Sequence, residues 1–193
     1  MNKRSGEDTK RIILDVARKL FSENGYEGSS MRMIAQKADM SVGGLYLHFK
    51  NKEELGLTMM KLQFDGLLKE LKAAISNSAD PVQAIRTYIR ICIEYTKKHK
   101  ELILANTVSR GFAFGIELKK DFFVTQRRFI EAIIREGMES GYFSKCNPRE
   151  QAKIVMGVLR GFFLSMIVDP DNLFSAEACT GLLMEGLLTR DEP

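Results

Sequence analysis

Helix punctuation recurs along this chain, and no stretch sustains the apolar–polar alternation with β-branched residues that a strand needs. Asp80-Pro81-Val82-Gln83 reads as a cap, a proline at the first helical position and a glutamine at the third. Asn147-Pro148-Arg149-Glu150 repeats that grammar, and Asn51 with Glu54 forms a capping box before LGLTMMKLQF. Asp8 or Thr9 can open a first helix that Gly25 closes; Ile13, Val16, Ala17, Leu20 and Phe21 recur inside it at helical spacing. Gly141 ends another. The expectation is an all-α protein of eight to ten helices without a sheet.

At 193 residues and 45% hydrophobic, the chain can bury a core without disulfides or metal. Its opening, MNKRSGEDTK, lacks the apolar run of a secretory leader, and Cys92, Cys146 and Cys179 form neither a CxxC pair nor a disulfide framework. A cytoplasmic location is expected. His48 and His99 are the only histidines, with no ligand spacing around them, so no metal is expected. No GxSxG, Walker or GxGxxG motif appears, which argues against an enzyme and implies no cofactor. The other classes weighed are an all-helical small-molecule enzyme and an interaction module with a vestigial head.

Charge is uneven. Residues 1–52 hold ten Lys and Arg against six Asp and Glu, whereas the remainder holds nineteen of each. A basic head on a neutral body suits a polyanion. The sequence from Gly25 to Lys52 reads as two short helices around a tight turn, Asp39-Met40-Ser41. Ser30 can cap the first helix and Ser41 the second. The inner face of the first would carry Met33 or Ile34, with Ala35 and Ala38; Leu45 and Phe49 would face inward from the second. A small Ala35 permits close helix approach, which is helix-turn-helix logic. Lys52–Ile75 then reads as one long helix.

This segment resembles the DNA-binding head of the TetR family of transcriptional regulators. The resemblance rests on Gly25-Tyr26, Ser29-Ser30, Ile34-Ala35, Ala38, Met40-Ser41, Gly43, Leu45-Tyr46, His48-Phe49 and Lys52, and covers about 45 residues from Lys10 to Leu55. One departure is Asp39, which stands where the family usually has glycine; Asp tolerates left-handed geometry better than most residues. The resemblance implies a helix-turn-helix DNA-binding domain over 1–52 and an effector-binding and dimerisation domain over 53–193. The head would have three helices and the body would be a helical bundle. It also implies a homodimeric regulator, most simply a repressor, that binds double-stranded DNA at a palindromic operator and is released by a small-molecule effector.

On that reading Val42–Phe49 is the recognition helix. Val42, Gly43, Gly44 and Leu47 cannot hydrogen-bond a base edge through their side chains, so apolar contact and close backbone approach remain. Tyr46, His48 and Lys52 resemble the family's phosphate contacts, and the Ser30 and Ser41 caps leave helix starts to face phosphates. Met31 and Arg32 open the preceding helix, and Arg32 is the base-capable cation nearby. Lys3 and Arg4 could form an arm.

In the body, Arg160 is the only charge in the largely apolar run Ile154–Val168. A helix apolar all round needs cover on more than one side. It reads as too short and interrupted to span a bilayer, so no membrane partner is expected. A second subunit packed at Gly157, Gly161, Leu183 and Leu187 would cover it. Tyr88, Cys92, Tyr95, Phe112, Phe114, Phe123 and Arg127 are the candidate lining of an effector pocket suited to a lipophilic ligand.

Overall fold

The structure is a computed structural model that describes residues 5–100, 103 and 114–188. Among these residues the chain forms eight helices and no strand. They are α1 (Gly6–Asn24), α2 (Met31–Lys37), α3 (Val42–Tyr46), α4 (Lys52–Ser76), α5 (Pro81–Lys98), α6 (Ile116–Glu139), α7 (Pro148–Val168) and α8 (Ala176–Glu185). The all-α expectation holds.

The caps explain where the helices begin. Ser5, not Asp8 or Thr9, opens α1; its hydroxyl accepts from the Asp8 amide at 3.1 Å and donates to the Asp8 carboxylate at 2.8 Å. Asn51 accepts from the Glu54 amide at 2.7 Å, and the Glu54 carboxylate reaches back to the Lys50 amide at 2.7 Å. Asp80 accepts from Gln83 at 2.8 Å, and Asn147 accepts from Arg149 and Glu150. Each such cap satisfies an amide that the helix leaves without a partner. Gly25 (φ 71°) and Gly141 (φ 79°) follow α1 and α6 in the left-handed half of backbone space.

The described residues divide into two compact units. One holds the chain to Phe64 together with His99–Ile116; the other holds Asp65–Lys98 and the chain from Glu117 onward. In the first, Ile13, Ala17, Leu20 and Phe21 line one face of α1. They meet Tyr26, Met31, Ile34, Ala35, Leu45, Phe49, Leu55 and Met59 in one core. Leu45 is the buried residue of α3, so this short helix is anchored by one side chain worth about 2–5 kcal/mol against alanine. In the second unit, α5 buries Ala84, Ile85, Tyr88, Ile89 and Ile91–Ile93 and packs against α7 and α8. Phe143 fills the space beside Gly137, where a Cβ atom would collide with its ring. Phe143 and Leu188 form an isolated antiparallel bridge, and the Ser144 amide donates to the Leu187 carbonyl at 3.0 Å.

Candidate nucleic-acid interface

The turn between α2 and α3 is closed by backbone bonds. The Met40 amide donates to the Ala35 carbonyl at 3.0 Å and the Asp39 amide to the Gln36 carbonyl at 3.2 Å. That pair is the six-to-one and five-to-two pattern of a Schellman helix end, which requires a left-handed residue between them. Asp39 supplies it with φ 52°. The aspartate therefore takes the conformation for which glycine is the usual choice.

Two serines then start the helices. The Ser30 hydroxyl accepts from the Met33 amide at 3.2 Å, and Ser41 accepts from Gly44 at 3.0 Å. Ile34, Ala35 and Ala38 turn inward, which resolves the open choice on α2: Ile34 is the core residue and Met33 is exposed. Met31, expected at the DNA surface, is instead buried, because the first residue of α2 points into the core shared with α1. Arg32 is exposed.

The second helix is shorter than expected. It ends at Tyr46, and the chain turns through Leu47 and His48 before Phe49 enters the core. Leu47 as the C-cap projects into solvent at 87% exposure, and Val42 and Tyr46 are also exposed, with His48 half-buried. An isolated apolar side chain needs no explanation, but Met33, Val42, Tyr46 and Leu47 all come from this one helix pair. Among the described residues a Cβ atom at Gly43 would meet nothing within 4 Å, so their packing does not require glycine there. At Gly44 the nearest atom would be the Ser41 hydroxyl at 3.1 Å.

Lys52 departs most from its expected role as a phosphate contact. Its ammonium donates to the Tyr26 carbonyl at 2.8 Å and the Ser29 carbonyl at 2.9 Å, and lies 4.1 Å above the Tyr26 ring. Beneath it, the buried Ser29 hydroxyl bridges the carbonyls of Gly25 (2.8 Å) and Leu20 (3.1 Å). The first residue of α4 is thus bound to the α1–α2 connection. The sequence placed the cap at Ser30, where it is found, but gave no sign that its neighbour Ser29 is a buried bracket.

With this geometry in view, residues 13–58 match the model for bacterial regulatory proteins of the tetR family. That match covers the head of the chain, and the relatives matched along more of its length are named as regulators. An uncharacterized HTH-type transcriptional regulator of Bacillus subtilis, YhgD, is 26% identical over 170 residues, covering 84% of each chain. The fatty acid metabolism regulator protein of the same organism is 25% identical over 188 residues, 92% of each chain. Among solved structures, the fatty acid degradation regulator FadR of Bacillus halodurans superposes with a TM-score of 0.77 at 20% identity. The match spans 97% of this chain and all of that one.

The candidate pocket residues do not form one group. Phe114 lies in the first unit, its ring 6.3 Å from that of Tyr26, so it leaves the set expected in the body. Phe112 lies outside the described residues, as do Lys3 and Arg4. In the second unit Tyr88 is fully buried beside Cys92 one turn along α5. Burial raises both groups, the tyrosine hydroxyl well above its ordinary value and the thiol to about 12. Among the described residues the Tyr88 hydroxyl has no hydrogen-bond partner. Half-buried Tyr95 is also on α5. Phe123 lies under the Arg160 guanidinium at 4.3 Å, and Arg127 pairs with Glu131 at 3.1 Å, both largely shielded.

The dimer candidates divide similarly. Gly157 and Gly161 are exposed on α7, and among the described residues a Cβ atom at either would meet nothing within 4 Å. With exposed Ile154, Leu164 and Val168 they form a stripe spaced three and four residues apart, the spacing of a helix–helix seam. Leu183 is half-buried, but Leu187 is buried inside its own unit because the backbone after α8 pairs with Phe143 and Ser144. Leu182 is the exposed leucine of α8. At 21 residues α7 is long and apolar enough to cross a membrane by length and composition, which corrects the expectation that it is too short. The helix begins six residues before its apolar run, at Pro148. Among the described residues no group of three His, Cys, Asp or Glu side chains could hold a metal.

Proposed function

We propose that this protein is a homodimeric, cytoplasmic repressor whose α2–α3 pair enters the major groove of a palindromic operator and whose body binds a lipophilic effector that releases it. The observation that carries the reading is the exposed set Val42, Tyr46 and Leu47 around Gly43, where no internal packing fills the space above the backbone. Val42 and Leu47 suit thymine methyl groups. Tyr46, His48 and the capped start of α2 suit phosphates, and Arg32 suits a guanine or a phosphate.

The apolar stripe on α7 with Leu182 favours a second copy of the chain as its cover, since two-fold pairing would also give two heads and hence a symmetric site. A relative named for fatty acid metabolism, together with the fully buried Tyr88, favours a lipophilic effector. Such a ligand would act by preferring one arrangement of the heads, with α4 as the connecting lever.

Selection of bound duplexes from a random pool tests the reading, followed by a screen for compounds that release the selected DNA. Recovery of a palindrome with half-sites about one helical turn apart supports it. A pool that stays random after repeated rounds contradicts it.

A further inference from the structure

We infer that Lys52 is a positioning residue for DNA recognition and not one of the groups that bind phosphate. An ammonium has three donors and strong hydration, and it gives up both only for good partners. Here two donors are spent on the Tyr26 and Ser29 carbonyls at 2.8 and 2.9 Å. The charge rests on the Tyr26 ring at 4.1 Å, and the Glu27 carboxylate stands 4.0 Å away. The side chain is only 23% exposed.

The partners show what is being held. Tyr26 follows the end of α1 and packs edge-on against Phe21 at 5.1 Å. Ser29 precedes the cap of α2 and is itself tied to the carbonyls of Leu20 and Gly25. Lys52 is the first residue of α4. One ammonium therefore joins the end of α1, the approach to α2 and the start of α4. The direction in which α2 leaves its cap, and with it the placement of α3, depends on this joint. Losing it leaves two carbonyls without their partner and the α1–α2 connection loose, while the surface that faces DNA keeps its charges. This inference rests on the head binding DNA.

The test uses the full-length protein, a duplex selected by the wild type from a random pool, and the unselected pool. Wild-type binding to the selected duplex comes first; its absence at low salt would undo the DNA-binding reading itself and not the role of Lys52. Given that binding, Lys52→Met should lower affinity for the selected duplex about tenfold or more. Affinity for the unselected pool and the slope of log K against log salt should stay at wild-type values, below the melting temperature of the variant. A residue that merely stabilises the fold would leave the folded variant's preference for the selected duplex unchanged, and that result overturns the inference. So does a slope shallower by about 0.9 per lysine removed, with equal loss on both duplexes, since that is the signature of a lost phosphate contact.

If Lys52→Met does not fold, competitive acetylation of the wild-type protein decides. Without DNA, Lys52 should react much more slowly than exposed Lys50, and added duplex should change its rate little. Reaction as fast as Lys50, with protection only in the complex, overturns the inference.

Discussion

Asp39 holds a backbone conformation that costs an ordinary L-residue about 1–2 kcal/mol, reduced for aspartate. Asp39→Gly should therefore raise stability by about 0.5 kcal/mol, and Asp39→Val should lower it by more than about 1 kcal/mol, in urea denaturation. Equal stability of all three would mean the turn relaxes out of this conformation. Gly137 makes the opposite case. Its place against Phe143 leaves no room for a methyl group, so Gly137→Ala should cost about 1–3 kcal/mol by displacing the ring. Cys92 gives a pH signature. Its thiol is raised by burial from 9.0 to about 12, so the folded state holds the proton more tightly than the unfolded chain. That stability is fully present below pH 9 and is lost as pH rises from 9 toward 12, with Tyr88 adding to the decline in the same direction. Urea midpoints across that range should fall, and Cys92→Ala should flatten the fall.

The helix caps were legible because cap chemistry is local: Asn51, Asp80, Asn147, Ser30 and Ser41 act within three residues of themselves. Asp39 was legible for the same reason. What stayed hidden depends on contacts far apart in the chain. Lys52 reaches back 26 residues to Tyr26, and Leu187 is buried by a backbone pairing to Ser144. Met31 and Met33 are chemically identical two residues apart, and only the core around Ile34 decides which is inside. The short helix α3 is held by little. It has five residues, one buried leucine and one cap. Ser41→Ala should cost about 1 kcal/mol and raise amide exchange in α3 selectively, measured by hydrogen exchange. On α7 the stripe through Gly157 and Gly161 has open space above both glycines. If a second copy fills it, Gly157→Leu should weaken association without unfolding the chain. Association unchanged by that substitution would place the dimer seam elsewhere.

For the whole molecule, on the proposed function, a basic head would read DNA largely without hydrogen-bonding side chains, and the body would pair two copies. On that function, specificity would come from Val42 and Leu47 contacts, from Arg32 and from DNA shape. Val42→Ala should relax preference at its base position by about 1 kcal/mol, at the low end of base discrimination, while leaving binding to random duplex unchanged. A panel of single-base variants of the selected duplex would show this, and equal weakening on every variant would make Val42 a packing residue. The most direct test of the central claim is sedimentation of the protein with the selected duplex across a salt series. The expected result is two chains per duplex, bound together, with log K falling linearly against log salt. Binding of a single chain, or affinity indifferent to salt, would contradict it.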